Sequence, residues 1–117
     1  MADQPRARVT HEMKTWPEFF QPTLNGHKKF ELRRDDRGGF QVGDQLLLKE
    51  FVPPGRTIQA ADKKTAPFQV GESGLYSGRE VLVRVDYVMP VETVDKLMDL
   101  EIPYPAEHVI MSISRVH

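Results

Sequence analysis

The chain has 117 residues, no cysteine, 16 Lys and Arg against 17 Asp and Glu, and a formal net charge of −1. A chain of that length is read as one domain, and it buries roughly two thirds of its unfolded surface, enough to fold without staples. Neither disulfides nor thiolate metal ligands are available, which fits a reducing cytoplasm. The charge balance argues against the broad basic surface of a non-specific DNA binder, though it leaves room for a local basic cleft.

No apolar run approaches the roughly 20 residues of a membrane span, and the opening "MADQPRA" lacks a secretory apolar region, so a cytoplasmic protein without membrane contact is expected. His11, His27, His108 and His117 show no paired ligand spacing, so neither a metal nor a cofactor is expected.

Residues 1–7 are expected to be flexible. Val9, His11 and Met13 alternate with Thr10, Glu12 and Lys14, which predicts a first strand. "TWPEFF" then starts a helix, with Thr15 as cap, Pro17 in the first turn and Glu18 as capping-box partner. Trp16, Phe19, Phe20, Thr23 and Leu24 recur at helical spacing and should face inward. Pro22 removes a backbone donor and should kink or shorten the helix, which Asn25-Gly26 then ends.

The next strand begins near Lys28 or Lys29, with Phe30 and Leu32 on the face expected to turn inward and Glu31 and Arg33 on the other. "DDRGG" is a turn by composition. Gly43-Asp44 reads as another, before a strand from Gln45 to Phe51 apolar enough to be central. Residues 52–78, rich in Pro, Gly and small polar residues, read as a long loop with a short strand near Phe68 to Val70. "REVLVRVDYVM" is the clearest strand, with Val81, Val83, Val85 and Tyr87 on one face. A short helix carrying Val91, Val94, Leu97 and Met98 should follow Pro90, and His108 to Arg115 forms the last strand. Five or six mostly antiparallel strands with two short helices make an α+β domain, expected as a small β-barrel with helical plugs.

The densest chemistry lies in "GHKKFELR", Gly26 to Arg33. Gly26 turns the chain, Lys28 sits at the helix–strand junction, and Glu31 and Arg33 project together. An ammonium, a carboxylate and a guanidinium so placed can hold a polar planar ligand, the cations taking phosphate or carbonyl and the acid accepting from an amino group. Glu50 ends the apolar run "LLLKE", where an unpaired carboxylate is costly, so it is expected to meet Arg33 or Lys28. Lys28, Glu31, Arg33 and Glu50 are therefore expected on one concave surface, with Lys14 pointing into the same groove. Trp16 and Tyr76 offer stacking faces for unpaired bases.

The bland alternatives are concrete. Glu31 and Arg33 can form a plain ion pair on a wet face, contributing about 0–1 kcal/mol. Trp16 is more often core packing than a platform, and His11 more often a satisfied core histidine than a ligand. Tyr76, Ser77 and Arg79 can gate a cleft or simply close a hairpin, and Ser112 reads as a small packing residue.

The spacing Gly26-x-Lys28-x-x-Glu31-x-Arg33 resembles the G-x-K-x-x-E-x-R signature of ASCH domains, relatives of the PUA-like RNA-binding fold. "HEMKTWPEFF" is similar to the start of a small bacterial and phage ASCH subfamily of uncharacterised function, and "FQVGDQLLLKEF", "YSGREVLVRV" and "HVIMSI" to its later blocks. Three features depart from that pattern: a longer loop at 52–74, an extended segment at 90–107, and Pro22 where a helix former is usual.

The resemblance implies a PUA-like barrel that binds RNA or a nucleotide in a cleft between barrel and first helix, with Lys28, Glu31 and Arg33 from the shared motif; Lys14, Trp16, Glu50 and Tyr76 join that expected binding set from their own placement in the chain. It also implies an alternative, since some ASCH members are amidohydrolases on acylated nucleosides or ribonucleases. In the amidohydrolase branch a Lys and a Thr serve as base and nucleophile. Lys28 matches the Lys, but Glu31 stands at the Thr position and cannot form the same acyl intermediate without activation. As an enzyme, the protein would use Glu31 as general base on water, with Lys28 or Arg33 stabilising an oxyanion. A protein partner is a further possibility, and the oligomeric state is left open.

Overall fold

A computed structural model describes residues 7–35, 39–58, 68–92 and 107–116. Their elements are β1 (Thr10–Thr15), α1 (Pro17–Leu24), β2 (Phe30–Arg34), β3 (Gln45–Val52), β4 (Thr57–Ile58), β5 (Phe68–Gln69), β6 (Leu75–Pro90) and β7 (His108–Arg115). Five strands form one sheet in the order β1-β3-β6-β7-β2, and β4 and β5 pair as a separate antiparallel ribbon. The fold is thus mixed α+β, with β3 inside the sheet as its apolar run requires. Within the expected long loop, β4 and the start of β6 are ordered strands that composition did not reveal. Of the expected second helix, Val91 and Glu92 are helical, while Val94, Leu97 and Met98 lie outside the described residues. No described helix is long and apolar enough to cross a membrane.

The chain divides into two compact units. One comprises Met1–His11, Lys29–Leu47 and Leu82–His117; the other comprises Glu12–Lys28 and Leu48–Val81.

In the first unit β7 pairs antiparallel with both β2 and β6. Val83, Val85, Val109, Met111 and Ile113 are buried at alternate positions, the period-2 signature of a strand with one face inward. The alternation breaks once. A bulge between Val85 and Tyr87 shifts the register of β6 against β7, so Tyr87 leaves the valine face and is 58% exposed. The expectation that Tyr87 shares the face of Val85 fails for that reason. Ser112, expected as packing, is exposed opposite it.

Asp44 ties this unit together. Its carboxylate, 0% exposed, accepts from the backbone N–H of Val9 at 3.1 Å and of Gln41 at 3.0 Å, and lies 3.0 Å from Nε2 of His11. Its carbonyl accepts from Val85 N–H at 2.8 Å, and Gly43 N–H donates back to the Val85 carbonyl at 2.8 Å. One residue thereby joins β1, the turn before β3, and β6. His11 is the satisfied core histidine expected, tilted against Phe40 with ring centroids 4.8 Å apart.

In the second unit α1 buries Phe20 and Thr23 and leaves Trp16 and Phe19 exposed, so its inward face is narrower than the apolar spacing suggests. The expected capping box does not form. Thr15 closes β1 and Trp16 occupies the N-cap with no side-chain cap, while Pro17 takes the first turn as expected. Pro22 sits within the eight-residue helix, and its carbonyl accepts from His27 and Lys28 N–H at 2.9 and 3.0 Å. Gly26 follows at φ 79, the left-handed conformation that releases the chain toward β2.

Removing the Asp44 carboxylate strands two backbone donors and a buried imidazole. Asp44→Ala should lower unfolding free energy by about 3–5 kcal/mol, the scale for breaking a buried hydrogen-bonded charge, as a fall in urea midpoint with unchanged slope.

Candidate functional site

Strand β2 is built inside out. Phe30 is 48% exposed, whereas Glu31 is only 3% exposed, opposite the fully buried Met111. The apolar residues were expected inward; register with β7 puts the charged pair there instead. Arg33 donates from Nε to Oε2 of Glu31 at 2.9 Å, their side chains 23% and 4% exposed. The wet-face ion pair therefore does not describe this pairing. Burying a carboxylate costs several kcal/mol before its partner compensates, and such pairs seldom outperform apolar replacements in stability. A strand that holds an acid and a guanidinium inward while exposing its phenylalanine departs from its own binary pattern, as functional strands do.

The second unit contains three layered contacts. Arg79 grips Glu50 in a two-pronged pair, Nε to Oε1 and Nη2 to Oε2, each at 3.0 Å. Its guanidinium also lies 5.1 Å from the centroid of the Phe20 ring. Hydrogen bonding from Arg79, with Ser77 adding to it, holds the Glu50 carboxyl below its ordinary value against the opposing effect of burial. Lys14 Nζ stands 4.6 Å over the Phe51 ring, and Tyr76 meets that ring edge-on at 5.0 Å. Gly74, at φ +71, lies so close to the Phe51 ring that a Cβ would collide with it. Only glycine serves there. Finally, Trp16 and Phe19 stack at 6.5 Å, the Arg56 guanidinium lies 5.0 Å from the Trp16 ring, and Arg56 clasps Glu18 at 2.7 and 3.0 Å. Glu18, expected in a capping box, is therefore the carboxylate of that arginine.

The expected site residues thus divide. Glu31 and Arg33 lie in the first unit and touch each other; Lys14, Trp16, Lys28, Glu50 and Tyr76 lie in the second. Lys14 and Tyr76 are joined through Phe51, and both oxygens of Glu50 are engaged by Arg79, not by Arg33 or Lys28 as expected. Trp16, favoured as core by its type, is 45% exposed. Two residues carry more than the sequence suggests. Arg79 stood as a cleft gate or a hairpin end, with no partner assigned, and Arg56 was lost in a loop; the one available signal was a cation near either end of a Pro- and Gly-rich stretch. Among the described residues no three His, Asp or Glu side chains gather as metal ligands.

The profile of a family described as "Domain of unknown function (DUF3850)" matches residues 10–113. Over 53 residues the chain is 38% identical to the "Uncharacterized 12.9 kDa protein in GpA 3'region" of Escherichia phage P2, an overlap of 43% of this chain and 48% of that protein. The chain thus spans about half the length of that relative.

The lowered Glu50 pKa has a definite pH signature. The unfolded state binds the proton more readily, so the contribution is complete above the ordinary glutamate value of about 4.3 and is lost as pH falls through the lower folded value. Stability of Glu50→Gln should therefore fall less steeply than wild type below about pH 4.3, read as the difference between urea midpoints.

Proposed function

The chain belongs to the DUF3850 family, and we propose that this member is an RNA- or nucleotide-binding module of the PUA-like, ASCH kind. The observation that carries the reading lies in the second unit. Two exposed rings, Trp16 at 45% and Tyr76 at 51%, are each braced by a second ring, and each braced pair carries a cation. Arg56 lies over Trp16, and Lys14 over Phe51 beside Tyr76. Exposed aromatic platforms bordered by cations suit unpaired bases, whose planes stack while their phosphates meet positive charge.

Two further features support it. Gly26 ends α1 in the left-handed conformation at the head of the Gly26-x-Lys28-x-x-Glu31-x-Arg33 signature. Within the first unit, the partly exposed Arg33, held by the buried Glu31, brings planar donor chemistry suited to a base edge. The hydrolase alternative, with Lys28 and Glu31 catalytic, is favoured by no comparable observation.

Trp16 is the sole tryptophan, so its fluorescence reports on its own surface. Titration with short single-stranded RNAs and with free nucleotides should quench it, and binding should weaken with salt. Trp16→Ala and Tyr76→Ala should each cost about 1–3 kcal/mol of affinity, roughly 5- to 150-fold, read by polarisation of a labelled RNA. No binding at low salt, or full affinity in both variants, defeats the reading. Turnover of acylated nucleosides or RNA, abolished by Glu31→Gln, would install the hydrolase in its place.

A further inference from the structure

The outward face of the first unit is built for contact. Register places Phe30, Ser112 and Tyr87 in one row across β2, β7 and β6. Phe30 is 48% exposed, Tyr87 58%, and Ser112 between them is exposed. The next row on the same face is Leu32, Ile110 and Met89, each half-buried. An outward antiparallel face ordinarily carries polar residues, and a contiguous apolar patch there marks a partner surface. Neighbouring strands lie about 4.8 Å apart, so the two rings rise roughly 10 Å from each other across a serine. The relief is ridge, trough, ridge.

Charge at the margins selects the occupant. At one end Arg84 donates from Nε to Asp86 at 3.0 Å, and at the other Arg34 pairs with Glu107 at 3.2 Å. Each of these pairs carries both signs and is neutral by itself. A phosphate-bearing partner calls for one sign, whereas a neutral face with both signs at each end complements itself. We propose that this face pairs with a second copy of the chain in a two-fold arrangement. Tyr87 of each copy fills the trough over the partner's Ser112, beside the partner's Phe30, and the contact is repeated by symmetry. The face offers roughly half of the 20–30 residues a side that a stable interface uses, so the dimer is weak and reversible.

The proposal is independent of nucleotide binding and is tested without any nucleotide. Sedimentation velocity of the full chain, up to about 1 mM, should show average mass rising from monomer toward dimer. Ser112→Phe fills the trough and Tyr87→Ala removes the ridge; each should weaken dimerisation at least about tenfold, or about 1.4 kcal/mol, with the thermal midpoint of the monomer retained. Both positions are solvent-exposed, and if Ser112→Phe fails to fold, Tyr87→Ala carries the test alone. A monomer at every concentration overturns the proposal, as does wild-type dimerisation in a folded variant.

Discussion

The first unit depends on a single buried carboxylate. Asp44 is the point at which β1, the turn before β3, and β6 share hydrogen bonds, through both its side chain and its main chain. A charge in that position is tolerable because it is saturated: two backbone donors and an imidazole face its two oxygens. Hydrogen bonds to a charged group contribute about 1.5–3 kcal/mol each, against about 0.5–1.5 for neutral pairs. The strand valines supply non-directional burial, which favours collapse but does not choose one register over another. The directional bonds to Asp44 choose it.

In the second unit the carboxylates are met by arginines that stay partly exposed. Arg79 bridges a carboxylate on β3 and the Phe20 ring of α1, so one guanidinium combines ionic and aromatic contacts. A planar cation can do both at once, where a lysine ammonium has no flat face to stack. Arg56 repeats the arrangement with Glu18 and Trp16. The two rings differ in setting: Phe20 beneath Arg79 is fully buried, whereas Trp16 beside Arg56 remains open to solvent. In the half-exposed Arg56–Glu18 pair the ionic component contributes little to stability, so orientation is its main effect.

The element order was largely legible from residues. Strand periodicity marked β1, β3, β6 and β7, and Pro17 with Gly26 bracketed the helix. His11 was legible too, because an imidazole on an apolar strand face needs a polar neighbour. Three misreadings share a cause. The inversion of β2, the turn of Tyr87 and the exposure of Trp16 all concern which side of an element faces inward. Alternation in "FELRR" defines two faces but does not say which is buried, and apolar residues are only the default choice. A one-residue bulge reverses the rule from Tyr87 onward without leaving a distinctive residue behind. Within the candidate site, the partner of Glu50 was misread: the carboxylate needed a cation, and Arg79, 29 positions away, supplied it.

By itself, the sequence determined the class of fold, the main strands, and the presence of an acid–base set in Gly26 to Arg33, because local periodicity, turn chemistry and the cost of burying charge act over a few residues. Tertiary structure alone decided that Glu31 faces inward while Phe30 and Tyr87 face out, and that Arg79 and Arg56 are the cations of Glu50 and Glu18. Those outcomes depend on register between distant strands and on loop closure, and neither leaves a trace in the spacing of neighbouring residues.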